Sequence, residues 1–342
     1  MSSSNVSTGL FVNLSTGDIQ SGHTQFRNRI INGDMRIDQR NAGSLLTYAI
    51  EYTYSLDRWV STNINSGQLT IQRVTDVPQG FVYSLKMIKT NIGAGNGGNY
   101  LAQLIEGYNI ADFYWGTANA IPVTISFWVK SSITGNFSLT LTSSILDVSQ
   151  LCYSTLYSIN TANTWEYKTI YITPPTSGTW TIDTGMGLSI NFGLGYQGSR
   201  TSTQNNAWYT TSTYNVMSLN GNASFSTTLN ASFQVTGVQL EKGTQATPFE
   251  FRPISIELQL CQRYFQQLNP NTSTANSSDY YYSLTSGTGE VRLPLPVAMR
   301  GNPTPSTVTS SSGSYSINSQ MLRLWTTAAP GSIYFKSLTA EL

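Results

Sequence analysis

Apolar and polar positions alternate with a period of two over much of the chain. Between Ile121 and Lys130, the apolar Val123, Ile125, Phe127 and Val129 alternate with Thr124, Ser126, Trp128 and Lys130. Successive side chains on a strand point to opposite faces, so this segment predicts a strand with one apolar and one mainly polar face. Phe137, Leu139 and Leu141 continue the pattern after a turn at Thr134-Gly135-Asn136. Leu188, Ile190, Phe192 and Leu194 predict another strand, and Trp165 to Ile172 another. Phe233 and Val235 alternate, Gly237 interrupts them, and Val238 and Leu240 resume, which predicts a bulge at Gly237. Val123, Ile125, Phe127, Val129, Val235, Val238 and Leu240 are therefore the expected inward-facing core. Strands of this length between Gly, Asn and Ser turns suggest a sandwich or barrel.

One stretch changes period. Leu260, Cys261, Tyr264, Phe265 and Leu268 follow helical spacing and predict a helix over 255–268. Ser255 is its expected N-cap, Glu257 lies in the first turn, and Asn269-Pro270 stops it. Residues 1–27 are rich in Ser, Thr, Gly and Asn, as expected for a terminal arm. The expected division is an arm over 1–27, a sandwich over 28–252, the helix and a polar linker over 253–279, and a small β domain over 280–342.

Composition sharpens this picture. The 342 residues carry only 10% charged side chains, with 18 Lys plus Arg against 17 Asp plus Glu. A nucleic-acid or anionic-membrane binder normally shows a basic surplus or a basic face. Neither is present, so neither partner is expected. Aromatics make up 12% of the chain, and 87 residues are Ser or Thr, so strands and turns outweigh helices. An all-β chain with a neutral, hydroxyl- and amide-rich surface is expected. No apolar run approaches the length of a membrane span. Residues 1–6 lack the charged and apolar regions of a secretory signal. The two cysteines, Cys152 and Cys261, are expected as buried free thiols rather than a disulfide framework.

Few residues can carry catalysis. The single histidine, His23, sits in the polar arm, whereas a triad base must be held by the fold. Zinc needs several Cys or His ligands, which are absent. Asn91 to Gly98 resembles a phosphate loop only in composition. A paired-carboxylate hydrolase would draw on Asp34, Asp38, Asp57, Glu106, Asp112 and Asp183. A role as turn formers or as partners for Arg27, Arg29, Arg36, Arg40 and Arg58 is the favoured reading of those acids. No catalytic residue and no cofactor are assigned. A structural Ca²⁺ would need six to eight oxygens, for which Asn32, Asp34 and Glu241 are conceivable ligands. A hydrogen-bonded turn at Asn32-Gly33-Asp34 is favoured there.

Aromatics outside the alternating strands are more suggestive. Tyr108, Phe113, Tyr114 and Trp115 form one cluster, and Tyr196, Trp208, Tyr209 and Tyr214 another. Sugar rings have apolar faces and hydroxyl rims, so flat aromatics beside amide and hydroxyl groups suit them. Trp208 and Tyr209 are the candidate glycan platform, with Tyr114 and Trp115 as the alternative patch. Packing in the core or at a subunit interface is the competing reading.

Three segments resemble modular phage and virus fibre proteins. They are Asn28 to Arg40 with Tyr54-Ser-Leu-Asp-Arg-Trp59, then Val235 to Gly243 with Thr247 to Pro253 and Glu257 to Phe265, then Leu293 to Arg300 with Pro303-Thr304 and Leu338 to Leu342. The second is the most specific, with Gln-Leu-Glu-x-Gly followed by Pro-Phe-Glu-x-Arg-Pro. The resemblance implies a jelly-roll β-sandwich similar to carbohydrate-binding modules, one short helix and a small C-terminal β domain. It implies a homotrimeric virion component on a tail or capsid exterior, assembled in the host cytoplasm, joined to other virion proteins through the arm. Host surface glycan is the expected ligand. It carries over no enzymatic residue. The arm holds no collagen-like or coiled-coil shaft, which favours a short spike or head-attached fibre. A virion-associated glycan hydrolase and a free lectin-like module are the alternatives.

Overall fold

The computed structural model describes residues 10–12, 19–21, 26–48, 52–64, 67–93, 97–143, 150–196, 201–211, 218–219, 224–268, 282–284, 289–311, 313–326 and 331–342. Two antiparallel sheets face one another. One has seven strands in the order Ala207–Thr211, Gln150–Ile159, Gly135–Thr142, Met186–Tyr196, Gly98–Glu106, Trp59–Ile64 and Tyr52–Leu56. The other has six, in the order Glu166–Ile172, Val123–Ser131, Ser232–Lys242, Ser84–Ile92, Gly67–Val74 and Leu46–Tyr48. The chain crosses repeatedly between the sheets, and the result is a jelly-roll β-sandwich.

The predicted core is the observed one. Val123, Ile125, Phe127, Val129, Val235, Val238 and Leu240 are all 0% exposed and belong to one apolar cluster between the sheets. Phe127 sits at its centre, with ring centroids 5.0 Å from Phe192 and 5.1 Å from Tyr157, both edge-on. The expected bulge is also present, as a register shift between Thr236 and Gln239 opposite the Val123–Ser131 strand. Gly237 takes φ +61° there, and a Cβ would meet the Phe81 ring at 2.6 Å. Only glycine permits both the left-handed backbone and that approach.

The helix departs from expectation. It spans Ile254–Gln262, with Pro253 rather than Ser255 at the N-cap position. The Pro253 carbonyl accepts the N–H groups of Ile256 and Glu257 directly, so no side-chain cap is used. It ends before 268 because Phe265–Gln267 pairs as a strand with Ser337 to Thr339 of Gly331–Thr339. Glu257 accepts the backbone N–H of Asn32 and pairs with Arg252, tying the first turn to the sandwich. At the other end Glu106 takes a bidentate bond from Arg263 and one from the Tyr264 hydroxyl.

Beyond the helix, Thr304–Ser311 pairs with Gly331–Thr339, and Met321–Thr326 lies between Gly289–Pro294 and Gly313–Ile317. The chain then returns to the sandwich, where Glu341 bonds both Arg40 and Arg58. Arg58 also donates to the Leu104 carbonyl and lies 3.6 Å above the Tyr264 ring. Cys152 and Cys261 are buried and not disulfide-bonded. Among the described residues, no helix is long and apolar enough to cross a membrane. His23 and residues 270–279 lie outside the described residues, and of the arm only two short paired strands and Phe26-Arg27 fall within them.

Burial sets the pH response of the joint between these parts. Asp57 is wholly buried, which pushes its carboxyl up to about 6 against the opposing pull of Arg40 and the two bonds from Gln39. A raised pKa means the folded state binds this proton more tightly than the unfolded chain does. The contribution is therefore favourable at low pH and is lost as pH rises toward and through about 6. Burial also raises Asp34 and Glu257. The urea midpoint is expected to rise between pH 7 and pH 5, and to rise less in Asp57→Asn. An equal response in the two proteins removes Asp57 as a cause.

Candidate functional site

The six-stranded sheet turns an open groove outward, on the face opposite the core. Along Val123–Ser131 the odd-numbered residues fill the core, so Ser126 and Trp128 point out. On the neighbouring edge strand Tyr167 pairs with Trp128, and Thr169 pairs with Ser126. The Trp128 and Tyr167 rings meet at 5.3 Å and form one shelf. Phe81, Phe249 and Phe251 form the other wall, with centroids 4.9 to 5.4 Å apart. The groove encloses about 920 Å³. Tyr167 is 45% and Phe251 56% exposed, so large aromatic faces meet solvent on both walls.

The most specific sequence motif builds the second wall. Residues on alternate sides of the 248–252 segment do different work. Glu250 accepts the backbone N–H groups of Arg27 and Asn28, while its own N–H donates to Gln239. Arg252 donates to the carbonyls of Asn28 and Ile30 and pairs with Glu257. Gln239 donates to Glu241, which also accepts the Thr247 N–H and hydroxyl. With the polar side chains turned inward, Phe249 and Phe251 are left facing the groove. The motif thus fixes a wall and contributes no reactive group.

The groove is electrically neutral: none of its lining residues is Asp, Glu, Lys, Arg or His. Ser126 is 3% exposed at the floor, and among the described residues the side chains of Ser126, Thr169, Gln79 and Gln245 make no hydrogen bond. Further along the same face, Lys130 pairs with Asp76 and lies 5.3 Å over the Trp165 ring. Burial raises the Asp76 carboxyl, but hydrogen bonds from Lys130, Gln234 and Trp165 prevail and hold it below its usual value.

The aromatics predicted from sequence lie elsewhere. Trp115 and Trp208, from the two separate predicted patches, come together, with centroids 5.4 Å apart and Trp180 within 5.5 Å of both. Trp115 is buried, its indole N–H donating to the Ile121 carbonyl, and Phe113 packs beside it. Trp208 is half-buried against the core and donates to the Thr173 carbonyl. These two rings belong to the packing of the core beside the edge strand Ala207–Thr211. Tyr209 turns to the other side of its strand, with its hydroxyl 3.1 Å from that of Ser154. On that outer face of the seven-stranded sheet, Ser138, Thr140 and Ser154 are fully buried, and Ser218–Leu219 lies against the strands. Tyr114 is 54% exposed on a left-handed turn at φ +53°. Tyr214 lies outside the described residues.

The conceivable calcium ligands hold protein groups instead. Asn32 bonds the backbone of Ile37 and the Asp57 carbonyl, Asp34 pairs with Arg36, and Glu241 is occupied by Gln239 and Thr247. No group of three or more His, Cys, Asp or Glu suited to a metal occurs among the described residues. The acids considered for hydrolysis are largely tied up, Asp112 with Arg29 and Lys242, Glu106 with Arg263, Asp57 with Gln39.

Sequence reasoning missed the groove because it counted Trp128 as one member of a mainly polar face. A large aromatic on the outward side of an alternating strand was the available signal, repeated at Tyr167 and Tyr171. The Phe wall is legible only with the fold in hand.

No protein-family description matches the sequence, and no curated protein matches it. Similar solved structures include the enzymatically active domain of tailspike protein 4 of bacteriophage CBA120, at 14% identity over 64% of this chain and a TM-score of 0.32. The chain spans only 22% of that structure's length. A protein from Bacteroides thetaiotaomicron matches at 10% identity over 63% of this chain and 100% of its own, with a TM-score of 0.33. The family 11 carbohydrate-binding module of Clostridium thermocellum, solved with a mixed-linked tetrasaccharide, matches at 14% over 58% and 100%, with a TM-score of 0.28. These likenesses concern the two-sheet fold alone.

Proposed function

We propose that the chain is a virion surface protein, a fibre or spike subunit on a tail or capsid, which adheres to host surface glycans through the outward groove of its six-stranded sheet. The groove carries this reading. It offers wide aromatic faces beside hydroxyl and amide groups, the mixture that a sugar's apolar faces and hydroxyl rim require. The sequence resemblance to fibre proteins and the low charge of the surface support a displayed, non-catalytic role. One ring covering a few tens of Å² contributes about 1 kcal/mol at about 25 cal/mol per Å². Firm attachment therefore calls for several copies, which fits a homotrimer held to other virion proteins by its arm.

Affinity electrophoresis of the intact assembly through host polysaccharide tests adhesion, and native mass tests assembly. Retardation and a mass of three chains are expected. Free migration in every host polysaccharide overturns the adhesive role, and a monomer at micromolar concentration overturns the trimer. Release of reducing sugar would replace adhesion by hydrolysis.

A further inference from the structure

We infer that the groove takes an uncharged glycan chain, with one sugar laid on the Trp128–Tyr167 shelf and flanked by Phe249 and Phe251. This rests on the glycan-binding reading above and names the class of glycan. The lining supplies no cation to meet a uronate or sulfate and no carboxylate to meet an amino sugar. A charged sugar entering here would give up water without a counter-charge, which is strongly unfavourable. Ionic groups close to the groove are engaged: Lys130 pairs with Asp76, and Glu241, behind the lining Thr247, accepts from Thr247 and Gln239.

What the lining does supply suits neutral hydroxyls. Ser126 and Thr169 can each donate and accept, as can the amide of Gln245. Ser126 lies at the floor with its hydroxyl unengaged by any described group. A purely apolar occupant, such as an acyl chain, would leave that hydroxyl unpaired. The groove, at about 920 Å³, is also larger than a single sugar, so the occupant is a chain.

The test titrates the native assembly with two sets of oligosaccharides of equal length, one neutral and one bearing uronate or sulfate. Neutral chains are expected to bind, with Kd rising tenfold or more in Trp128→Ala and unchanged in Tyr114→Ala, whose ring lies outside the groove. Thr169→Lys adds a charge at an exposed edge position without touching the core. It is expected to abolish neutral binding while leaving the thermal midpoint in place. Preference for acidic chains, with affinity falling as salt is raised, overturns the neutral assignment and leaves glycan adhesion standing. Failure of both sets to bind overturns adhesion as well. If Trp128→Ala instead breaks the assembly and spares glycan affinity, the groove is a contact between copies and the inference falls.

Discussion

Glu341→Ala is expected to lower stability by about 3–5 kcal/mol, far more than loss of a surface ion pair. Arg58 is 1% exposed and Glu341 7%, so the guanidinium has exchanged water for that carboxylate, the Leu104 carbonyl and the Tyr264 ring. Its pKa moves up despite burial, because Glu341 and its neighbours favour the charge. Without Glu341 the charge stays buried and only partly compensated, and Arg40 loses the same partner. Replacing both Arg58 and Glu341 by apolar residues is expected to be milder than removing the acid alone. Urea unfolding of the three proteins measures this, and a loss under about 1 kcal/mol for Glu341→Ala would mean that water reaches Arg58.

Phe127→Ala is expected to cost a similar amount, about 3–5 kcal/mol, by a different route. The ring is fully buried and touches aromatic partners from the opposite sheet, Phe192 and Tyr157, at 5.0 and 5.1 Å. Those rings belong to strands fixed by their own ladders, so they cannot collapse into the space left behind. A loss under about 1 kcal/mol would show that the two sheets close the cavity. Trp128→Ala, one residue along on the outward side, should leave the midpoint much less affected. The pair separates the two faces of one strand.

Periodicity made the core legible because core-facing positions on a strand recur every second residue, and Val123, Ile125, Phe127 and Val129 all face the core. The bulge was legible through Gly237, whose conformation few other residues adopt. The end of the helix was not. Tyr264, Phe265 and Leu268 continue helical spacing, but the Phe265–Gln267 backbone finds better partners in the distant strand Gly331–Thr339. Local pattern carries no information about a partner some seventy positions away. The grouping of the aromatics was hidden for a related reason. Trp115 and Trp208 looked like two separate patches because each lies among turn-forming residues, yet folding packs them together. Trp128 and Phe249 are far apart in sequence and become neighbours only through the sheet.

The Arg58–Glu341 contact also has a temporal side. Its partners are 283 positions apart. During synthesis the Arg58 segment emerges long before the acid that neutralises it, at a rate of roughly 5–20 residues per second. Until then the guanidinium has a reason to stay in water, and the edge of the sheet at Tyr52–Leu56 has a reason to stay open. Long-range closure of this kind slows folding, because the loop entropy is lost before the contact compensates it. The nascent sandwich is therefore expected to remain ajar at this edge, a target for chaperones or for a neighbouring nascent copy, until Glu341 arrives and locks it.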